Sequence, residues 1–192
     1  MKLLHIDSSA LGANSVTREL SAAVVARWQE ALPDLQVVYR DLDAEPLPHL
    51  TGSSLARSDP TEAADAEQVL RQFLQADVVV LGAPMYNFAI PSTLKAWIDR
   101  IAVAGKTFRY TEAGPEGLAG GKRVIVASGR GGVHTDAPSD LQEPYLRQVF
   151  GFLGIGEVEF VRAEGVAYSP QHRADALAAA HASIRVPMRI AA

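Results

Sequence analysis

The stretch that decides the fold of this chain is Val78-Val79-Val80-Leu81-Gly82-Ala83-Pro84-Met85-Tyr86-Asn87-Phe88-Ala89-Ile90-Pro91. Its first four residues form an unbroken apolar run, rich in β-branched side chains and too short for a buried helix, as in a strand buried on both faces of a parallel sheet. We expect the strand to end at Gly82, because Pro84 has no N–H to donate to a neighbouring strand. Pro91 suits the first turn of a helix, and the residues after it carry apolar side chains at helical spacing. Met85–Pro91 is therefore a loop at the carboxyl end of a central strand, where open α/β sheets bind ligands.

The rest of the chain alternates predicted strands with predicted helices. The five expected strands are Leu3–Ile6, Gln36–Asp41, Val78–Leu81, Lys122–Ala127 and Val158–Ala163. The five expected helices are Ser15–Leu32, Thr61–Gln75, Ser92–Ile101, Leu141–Leu153 and Pro170–Arg185. This alternation predicts a doubly wound parallel α/β sheet, and right-handed crossovers place every loop that follows a strand at one edge.

Two segments depart from the alternation. Leu42–Pro60 is rich in Pro, Ser, Asp and Gly and has no periodicity, which suggests a functional or mobile excursion. Gly105–Thr111 is expected to be extended, and the turn residues within Glu112–Leu118 are expected to lead the chain back towards the sheet.

Length and composition favour one domain covering residues 1–192, with 48% hydrophobic residues to fill its core. A net charge of −4 gives no reason to expect nucleic acid or an anionic membrane as a partner. The chain has no cysteine, which excludes disulfides and thiolate metal sites, and we predict no metal site. The first residues do not resemble a signal peptide, because their apolar run is short and Asp7 interrupts it, so we predict a cytoplasmic protein.

Three of the loops at the predicted edge have unusual compositions. Ser8–Ser15 offers hydroxyl groups before a helix N-terminus, an arrangement that suits phosphate, although ordinary helix capping also explains it. Met85–Phe88 places two aromatic side chains around an amide, which serve either ligand binding or local packing. Ser128–Gly132 carries three glycines, which let a ligand approach the backbone closely or simply form a tight turn. A flat heteroaromatic ring with a phosphate tail would use all three loops.

These loops belong to a larger set of motifs. The set comprises Ser8-Ser9 with Ser15, Ala83-Pro84-Met85-Tyr86-Asn87-Phe88, Thr107-Phe108-Arg109-Tyr110-Thr111-Glu112, Gly114-Pro115-Glu116-Gly117-Leu118 and Gly131-Gly132-Val133-His134. Together these motifs resemble those of the FMN-dependent NADH-azoreductases, which are flavodoxin-like quinone and azo-dye reductases of bacteria. The resemblance covers nearly the whole chain. One departure is the sequence Ser-Gly-Arg-Gly-Gly at 128–132, one residue longer than the family's usual Ser-Arg-Gly-Gly.

The resemblance implies a flavodoxin-like three-layer sandwich with a five-stranded parallel sheet in the order 2-1-3-4-5, one FMN per subunit and a homodimer. It implies FMN contacts by Ser9, Ser15, Val16, Thr17, Met85, Tyr86, Asn87, Phe88, Ser128, Gly129, Arg130, Gly131 and Gly132. It also implies a contact of His134 with the edge of the ring, and walls of an acceptor pocket formed by Tyr110 and Phe152.

The implied activity is two-electron, ping-pong transfer from NADH or NADPH through FMN to a quinone or an aromatic azo compound. Such chemistry places few demands on protein acids and bases, because the cofactor carries it. One alternative is a non-enzymatic, flavodoxin-like electron carrier, for which a net charge of −4 is mild. Another is a serine hydrolase using Ser128, His134 and Asp136, which the absence of a Gly-x-Ser-x-Gly motif disfavours.

The helix predicted at Leu141–Leu153 indicates a dimer independently of the family. Its apolar and aromatic side chains are Tyr145, Val149, Phe150, Phe152 and Leu153, and they surround more than one face. Because a helix that covers one side of a sheet needs a single apolar stripe, the surplus predicts a second buried surface. The alternative is that Phe152 packs into the core of its own subunit.

Overall fold

A parallel β-sheet forms the centre of the structure, a computed structural model that describes residues 1–186 of the chain. The last six residues of the predicted domain, 187–192, lie outside the described residues. In chain order the described strands are β1 (Lys2–Asp7), β2 (Gln36–Asp41), β3 (Val78–Pro84), β4 (Phe108–Thr111), β5 (Gly114–Gly117), β6 (Arg123–Gly129) and β7 (Glu157–Ala163). Five of them form the sheet β2-β1-β3-β6-β7, in which every neighbouring pair is parallel. The predicted α/β fold with a five-stranded parallel sheet is confirmed.

The strand numbers differ from the predicted order 2-1-3-4-5 because β4 and β5 do not belong to this sheet. They form a separate antiparallel hairpin, inserted in the chain between β3 and β6. The sequence predicted the first arm of this hairpin as extended, whereas the second arm, Gly114–Gly117, was expected to be only a turn.

Helices cover both faces of the sheet. They are α1 (Val16–Ala31), α2 (Gly52–Ala56), α3 (Pro60–Gln75), α4 (Ser92–Ile101), α5 (Gln142–Phe152) and α6 (Pro170–Ser183). Side chains of α1 and α6 share one apolar core with the sheet, and side chains of α3, α4 and α5 share the other. Trp28 of α1 and Trp97 of α4 are buried in these two cores. No helix within residues 1–186 is long and apolar enough to cross a membrane.

Strand β3 extends further than the sequence predicted. The expected end at Gly82 is wrong, because Gly82, Ala83 and Pro84 continue in register with the end of β6. Pro84 is tolerated there because its carbonyl oxygen accepts a hydrogen bond from Gln142 Nε2 at 3.0 Å, while Met85 resumes the backbone hydrogen bonding with β6. The loop that begins at Met85 therefore directly follows Pro84, the last paired residue of β3.

The β4–β5 hairpin is fixed to the turn between α5 and β7. A Cβ atom built on Gly117 would lie 2.0 Å from the backbone nitrogen of Gly154, so the two backbones pack with no room for a side chain. Ala119 donates its N–H to the carbonyl of Leu153 at 2.9 Å, which holds the segment after the hairpin in place. The ring of Phe108, at the start of β4, is therefore held against α5.

Candidate functional site

The loops after β1, β3, β6 and β7 leave the sheet at its carboxyl edge and contact one another. The hydroxyl oxygens of Ser9 and Tyr86 lie 3.2 Å apart, which joins the loops after β1 and β3. The rings of Phe88 and His134 meet edge to face at 5.9 Å, which joins the loops after β3 and β6. Glu164 accepts a hydrogen bond from the backbone N–H of His134 at 2.8 Å, which adds the loop after β7. The convergence predicted from the sequence is therefore present.

The loop after β1 ends in a capped helix N-terminus. Ser15 is the N-cap of α1, and its hydroxyl oxygen accepts a hydrogen bond from Arg18 N at 3.2 Å and lies 3.1 Å from Thr17 Oγ1. Within the described residues, the backbone N–H groups of Val16 and Thr17 have no hydrogen-bond partner. Such groups, together with the positive end of the helix dipole, bind anions. The hydroxyl of Ser9, which is fully buried, lies on the same loop.

Arg18 holds this loop from behind. Its Nε and Nη2 atoms donate hydrogen bonds to the carbonyl oxygen of Ser9 at 3.2 and 2.9 Å. Its Nη1 and Nη2 atoms donate to the two carboxylate oxygens of Asp41 at 2.6 and 2.7 Å. This hydrogen-bonded pair lowers the pKa of Asp41. Arg18 therefore fixes the loop, and its charge is already balanced.

The loop after β3 is a tight and strained turn. Tyr86 and Ala89 exchange backbone hydrogen bonds at 2.9 and 3.1 Å. Between them, Asn87 and Phe88 have φ angles of +50° and +68°. For a bulky residue such as Phe88 this conformation costs about 1–3 kcal/mol, and strain of this kind concentrates at functional sites. The turn leaves the Phe88 ring 53% exposed at the edge of the sheet.

The end of β6 packs directly on the start of α1. A Cβ atom on Gly129 would lie 2.9 Å from Thr17 Cγ2, so a glycine allows the close approach. Gly129 is also the last residue of β6, and its carbonyl accepts a hydrogen bond from Met85 N at 2.9 Å. Ser128 and Gly129 are therefore strand residues, and the loop proper starts at Arg130. This assignment fixes the register of the longer Ser-Gly-Arg-Gly-Gly sequence.

Gly131 and Gly132 present their backbone at the edge of the sheet. Their carbonyl groups accept hydrogen bonds from Ala167 N at 3.2 Å and Gly165 N at 2.9 Å, so the loop after β7 holds them from one side. Their own N–H groups have no partner among the described residues. Two free donors thus remain where a ligand can approach the backbone.

Arg130 belongs to the segment predicted to contact FMN, but its side chain lies on the inner side of that segment. This side chain is fully buried and points into a cluster of three carboxylates, away from the open edge. Its guanidinium lies 3.0 Å from Asp140, 2.9 Å from Glu143 and 3.0 Å from Glu164. An unpaired buried cation would be very costly, and the three acids satisfy it. Arg130 therefore supports the backbone of Gly131 and Gly132, the glycine loop, from within the protein.

Ser128 is likewise a supporting residue, because its hydroxyl is buried and fully engaged. It donates a hydrogen bond to Gln142 Oε1 at 3.0 Å and accepts one from Arg130 Nε at 3.2 Å. Gln142 Nε2 donates to the carbonyl oxygens of Ala83 and Pro84, both at 3.0 Å. One buried amide thus ties the end of β3 to the end of β6. The Ser128 hydroxyl therefore already has one hydrogen-bond acceptor and one donor inside the protein.

His134 lies between the glycine loop and the Phe88 ring. Its Nδ1 atom is 3.0 Å from Ser139 Oγ, which leaves the rest of the ring facing the aromatic loop. The serine hydrolase alternative fails here, because Ser128 is buried and its hydroxyl bonds Gln142 and Arg130, with no hydrogen bond to His134.

Tyr110 and Phe152 lie on either side of Phe108. The Phe108 ring is 5.5 Å from the ring of Tyr110 and 4.5 Å from that of Phe152. Tyr110 is 76% exposed, whereas Phe152 is half-buried beneath the hairpin. Tyr110 also lines a cavity of about 400 Å³, which falls in the range of small-molecule sites. The apolar lining of this cavity includes Leu50, Leu55, Leu70, Val103, Phe108 and Tyr110.

The free donors at the sheet edge match a flavin mononucleotide. The N–H groups of Val16 and Thr17, beside the Ser9 and Ser15 hydroxyls, suit a phosphate. The N–H groups of Gly131 and Gly132 suit the carbonyl oxygens of a heteroaromatic ring, and the exposed Phe88 turn suits its flat face. FMN therefore fits the residues present.

Two residues that support these loops, Gln142 and Glu164, were not predicted from the sequence. Both residues lie outside every motif. The sequence indicated only that Gln142 lies near the start of a predicted helix and that Glu164 directly follows a predicted strand. Glu164 accepts hydrogen bonds from His134 N, Thr135 N and Thr135 Oγ1 at 2.8, 3.0 and 2.6 Å. It thus holds the start of the segment that carries His134.

Glu164 is expected to make the free energy of unfolding depend on pH in the acid range. Burial alone raises its pKa, but the hydrogen bonds from Thr135, His134 and Arg130 outweigh burial and hold the pKa below the ordinary value of 4.5. Because the pKa is lower in the folded state, its contribution is complete above about pH 4.5 and is lost as the pH falls through the folded-state value. Urea unfolding between pH 7 and pH 3 should show a shallower loss of stability in Glu164→Gln than in the wild type. Thr135→Val should shift the loss to higher pH, and identical profiles for all three proteins would contradict this assignment.

Comparison with known proteins places the chain in a family. A profile of the flavodoxin-like fold matches residues 1–186, and the chain belongs to this family. A relative from Stenotrophomonas maltophilia (strain K279a), named FMN-dependent NADH:quinone oxidoreductase, is 72% identical over 184 residues, which cover 96% of this chain and 94% of the relative. A relative of the same name from Rhizobium meliloti (strain 1021) is 55% identical over 196 residues, with coverage of 96% and 95%.

Solved structures show the same similarity. An azoreductase from Bacillus anthracis str. Sterne superposes with a TM-score of 0.88 at 32% identity, covering 96% of both chains. An FMN-dependent NADH-azoreductase from Bacillus anthracis str. Ames Ancestor, solved in complex with FMN, superposes with a TM-score of 0.86 at 27% identity, covering 95% of both chains. The resemblance inferred from the sequence motifs is thereby confirmed.

Proposed function

We propose that this protein is an FMN-dependent NADH:quinone oxidoreductase that also reduces aromatic azo compounds. The observation that carries the proposal is the convergence of a helix N-terminus with unpaired N–H groups, a strained aromatic turn and two glycines with free N–H groups at one sheet edge. The relatives with that name and the structural neighbour with bound FMN support it.

Each loop is assigned one part of FMN. The Ser9 and Ser15 hydroxyls and the N–H groups of Val16 and Thr17 hold the phosphate. Met85–Phe88 lies along the ring. The backbone of Gly129, Gly131 and Gly132 borders its pyrimidine side, while the side chains of Ser128 and Arg130 support that backbone from inside.

The chemistry places the protein in a supporting role. FMN, when bound, accepts two electrons from NADH or NADPH and passes them to the acceptor. The N–H groups of Gly131 and Gly132 would stabilise negative charge on the pyrimidine side, because they are fixed dipoles that need no reorganisation. His134, which lies beside the Phe88 ring, would donate a hydrogen bond at the edge of the ring of FMN. The Tyr86 hydroxyl joins the loop after β3 to the loop after β1 through Ser9.

Steady-state kinetics test this proposal. After FMN addition and removal of excess cofactor, the protein should retain a bound-flavin absorption spectrum and oxidise NADH in the presence of a quinone. Double-reciprocal plots at several quinone concentrations should be parallel, because both substrates use the same open face of the ring in turn. Intersecting lines would contradict the shared face. A protein that binds FMN but does not turn over NADH would be an electron carrier.

The acceptor site is proposed to form between two subunits. Tyr110 is exposed at the mouth of the cavity described above, and none of the residues that line this cavity belongs to the loops assigned to FMN. A homodimer that brings the Tyr110 hairpin of one subunit over the FMN of the other would place this cavity beside the loops assigned to FMN. Phe152 packs against Phe108 of its own chain, so part of the apolar surface of α5 is already covered within one subunit. The exposed side chains of Tyr110 and Leu55 are the main support for the proposed dimer.

Sedimentation of the FMN-loaded protein at micromolar concentration should give a dimer. Phe152→Ala should raise the KM for quinones several-fold and leave FMN content nearly unchanged, because the half-buried Phe152 ring positions Phe108 beside Tyr110. A fully active monomer would contradict the shared pocket whatever the variant showed.

The proposal treats residues 1–192 as one FMN-binding domain. The cytoplasmic location remains a prediction from the sequence.

A further inference from the structure

We propose that Arg173, on α6, supplies positive charge to the phosphate end of the FMN site and makes the protein select FMN over riboflavin. The inference rests on the proposed FMN site and adds to it a residue that no motif contains. Arg173 Nη2 donates a hydrogen bond to the carbonyl oxygen of Asn14 at 3.2 Å. Asn14 directly precedes Ser15, the N-cap of the helix whose free N–H groups are assigned to the phosphate.

The charges around this loop make Arg173 distinctive. Arg18 is committed to Asp41 through two hydrogen bonds and also lies 4.0 Å from Asp7. Glu19, in the first turn of α1, adds a third carboxylate. Among residues 1–186, no carboxylate oxygen lies within 4.0 Å of the Arg173 guanidinium. Arg173 therefore has a positive charge available to a ligand.

A phosphate bound here would otherwise meet an unfavourable field. Three carboxylates, on Asp7, Asp41 and Glu19, lie behind or beside the loop, and Arg18 balances only one of them. His181, when protonated, would pair with Glu19, from which it lies 3.3 Å away. The helix dipole contributes the equivalent of about half a positive charge at its N-terminus. A second guanidinium beside the loop therefore reduces the net negative charge that a phosphate dianion would meet there.

Arg173 also shapes the loop from outside. Arg18 engages the carbonyl of Ser9 and Arg173 engages the carbonyl of Asn14, so two guanidinium groups from different helices occupy carbonyl oxygens near the two ends of the loop. Occupied carbonyl groups are not available to turn towards the phosphate and repel it. Riboflavin has no phosphate, so neither effect bears on its binding.

The test compares the dissociation constants of FMN and riboflavin, measured by quenching of flavin fluorescence on titration with the flavin-free full-length chain. Arg173→Met should weaken FMN binding about three- to tenfold, the range expected for a partly exposed charge at a helix terminus, and change riboflavin binding less than about twofold. Arg27→Met is the matched control, because it removes the same charge near the far end of α1. It should leave the ratio of the two constants unchanged.

Two further variants separate charge from hydrogen bonding. Arg173→Gln keeps an N–H donor but loses the charge, and should behave like Arg173→Met. Arg173→Lys keeps the charge and should stay close to the wild type, with FMN affinity still falling as salt is raised. Wild-type selectivity in Arg173→Gln, or equal weakening of both flavins in Arg173→Met, would overturn the inference. A wild type that binds both flavins equally would instead contradict the proposed phosphate site itself.

Discussion

Replacing Arg130 with methionine is expected to lower the free energy of unfolding by about 3–5 kcal/mol, the usual effect of breaking a buried ion pair from one side. The variant keeps most of the side-chain volume but removes the cation that Asp140, Glu143 and Glu164 share. Of these, Glu143 keeps Arg162 as a partner, whereas Asp140 and Glu164 lose the only cation within 4.0 Å among residues 1–186. Urea unfolding followed by circular dichroism at pH 7 measures the loss.

The position of the charge, and not its mere removal, should cause this effect. Lys95→Met removes a cation from an exposed pair with Asp99, four residues further along α4, and should cost less than about 1 kcal/mol. Since the cluster supports the glycine loop, Arg130→Met should also bind FMN more weakly at a urea concentration where it is still folded. A loss in Arg130→Met no larger than that in Lys95→Met would show that the cluster does not stabilise the fold.

Replacing Gly117 with alanine is expected to detach the β4–β5 hairpin, at a cost of about 3 kcal/mol, the upper range for overpacking. The added Cβ would lie 2.0 Å from Gly154 N and 2.3 Å from the carbonyl carbon of Leu153, which are backbone atoms that no rotamer change can move away. The hairpin must therefore shift as a unit, and Phe108 would lose its contact with Phe152.

The matched control is Gly151→Ala, a second glycine-to-alanine change, in the last turn of α5 and three residues before Gly154. A Cβ atom at Gly151 meets nothing within 4 Å, so alanine should stabilise the helix by up to about 1 kcal/mol. Thermal unfolding measures both variants, and quinone kinetics should show a raised KM in Gly117→Ala alone. An unchanged melting temperature in Gly117→Ala would show that the hairpin does not pack tightly against Leu153 and Gly154.

The parts of the fold that local sequence determines were predicted well. Val78–Leu81 is buried on every side, and an apolar run of that length has few other solutions. Ser15 was predicted as the start of a helix and is its N-cap, because capping depends on residues within one turn. The return strand Gly114–Gly117 was missed, since Gly and Pro disfavour strands and its pairing depends on Gly117 packing against Gly154, far away in sequence.

In the candidate site, too, features set by local sequence were predicted and features set by distant contacts were not. The loops at the edge were predicted from their composition, whereas the direction of a side chain within a loop was not. An arginine between glycines suggests a ligand contact, but Arg130 turns inward because Asp140, Glu143 and Glu164 converge on it in the folded chain. A single sequence contains no signal that these acids and this cation meet.

The amide of Gln142 has a consequence for how the protein is made. Domains generally fold as units, and the chain leaves the ribosome from its N-terminus onwards. The loop Ser8–Ser15 and helix α1 emerge early, but the ends of β3 and β6 are tied together only when Gln142 has emerged. The backbone of Gly131 and Gly132 lacks its support until Gly165 and Ala167 follow. Flavin uptake must therefore wait until nearly the entire chain has been translated. Nascent chains stalled before α5 should emerge colourless.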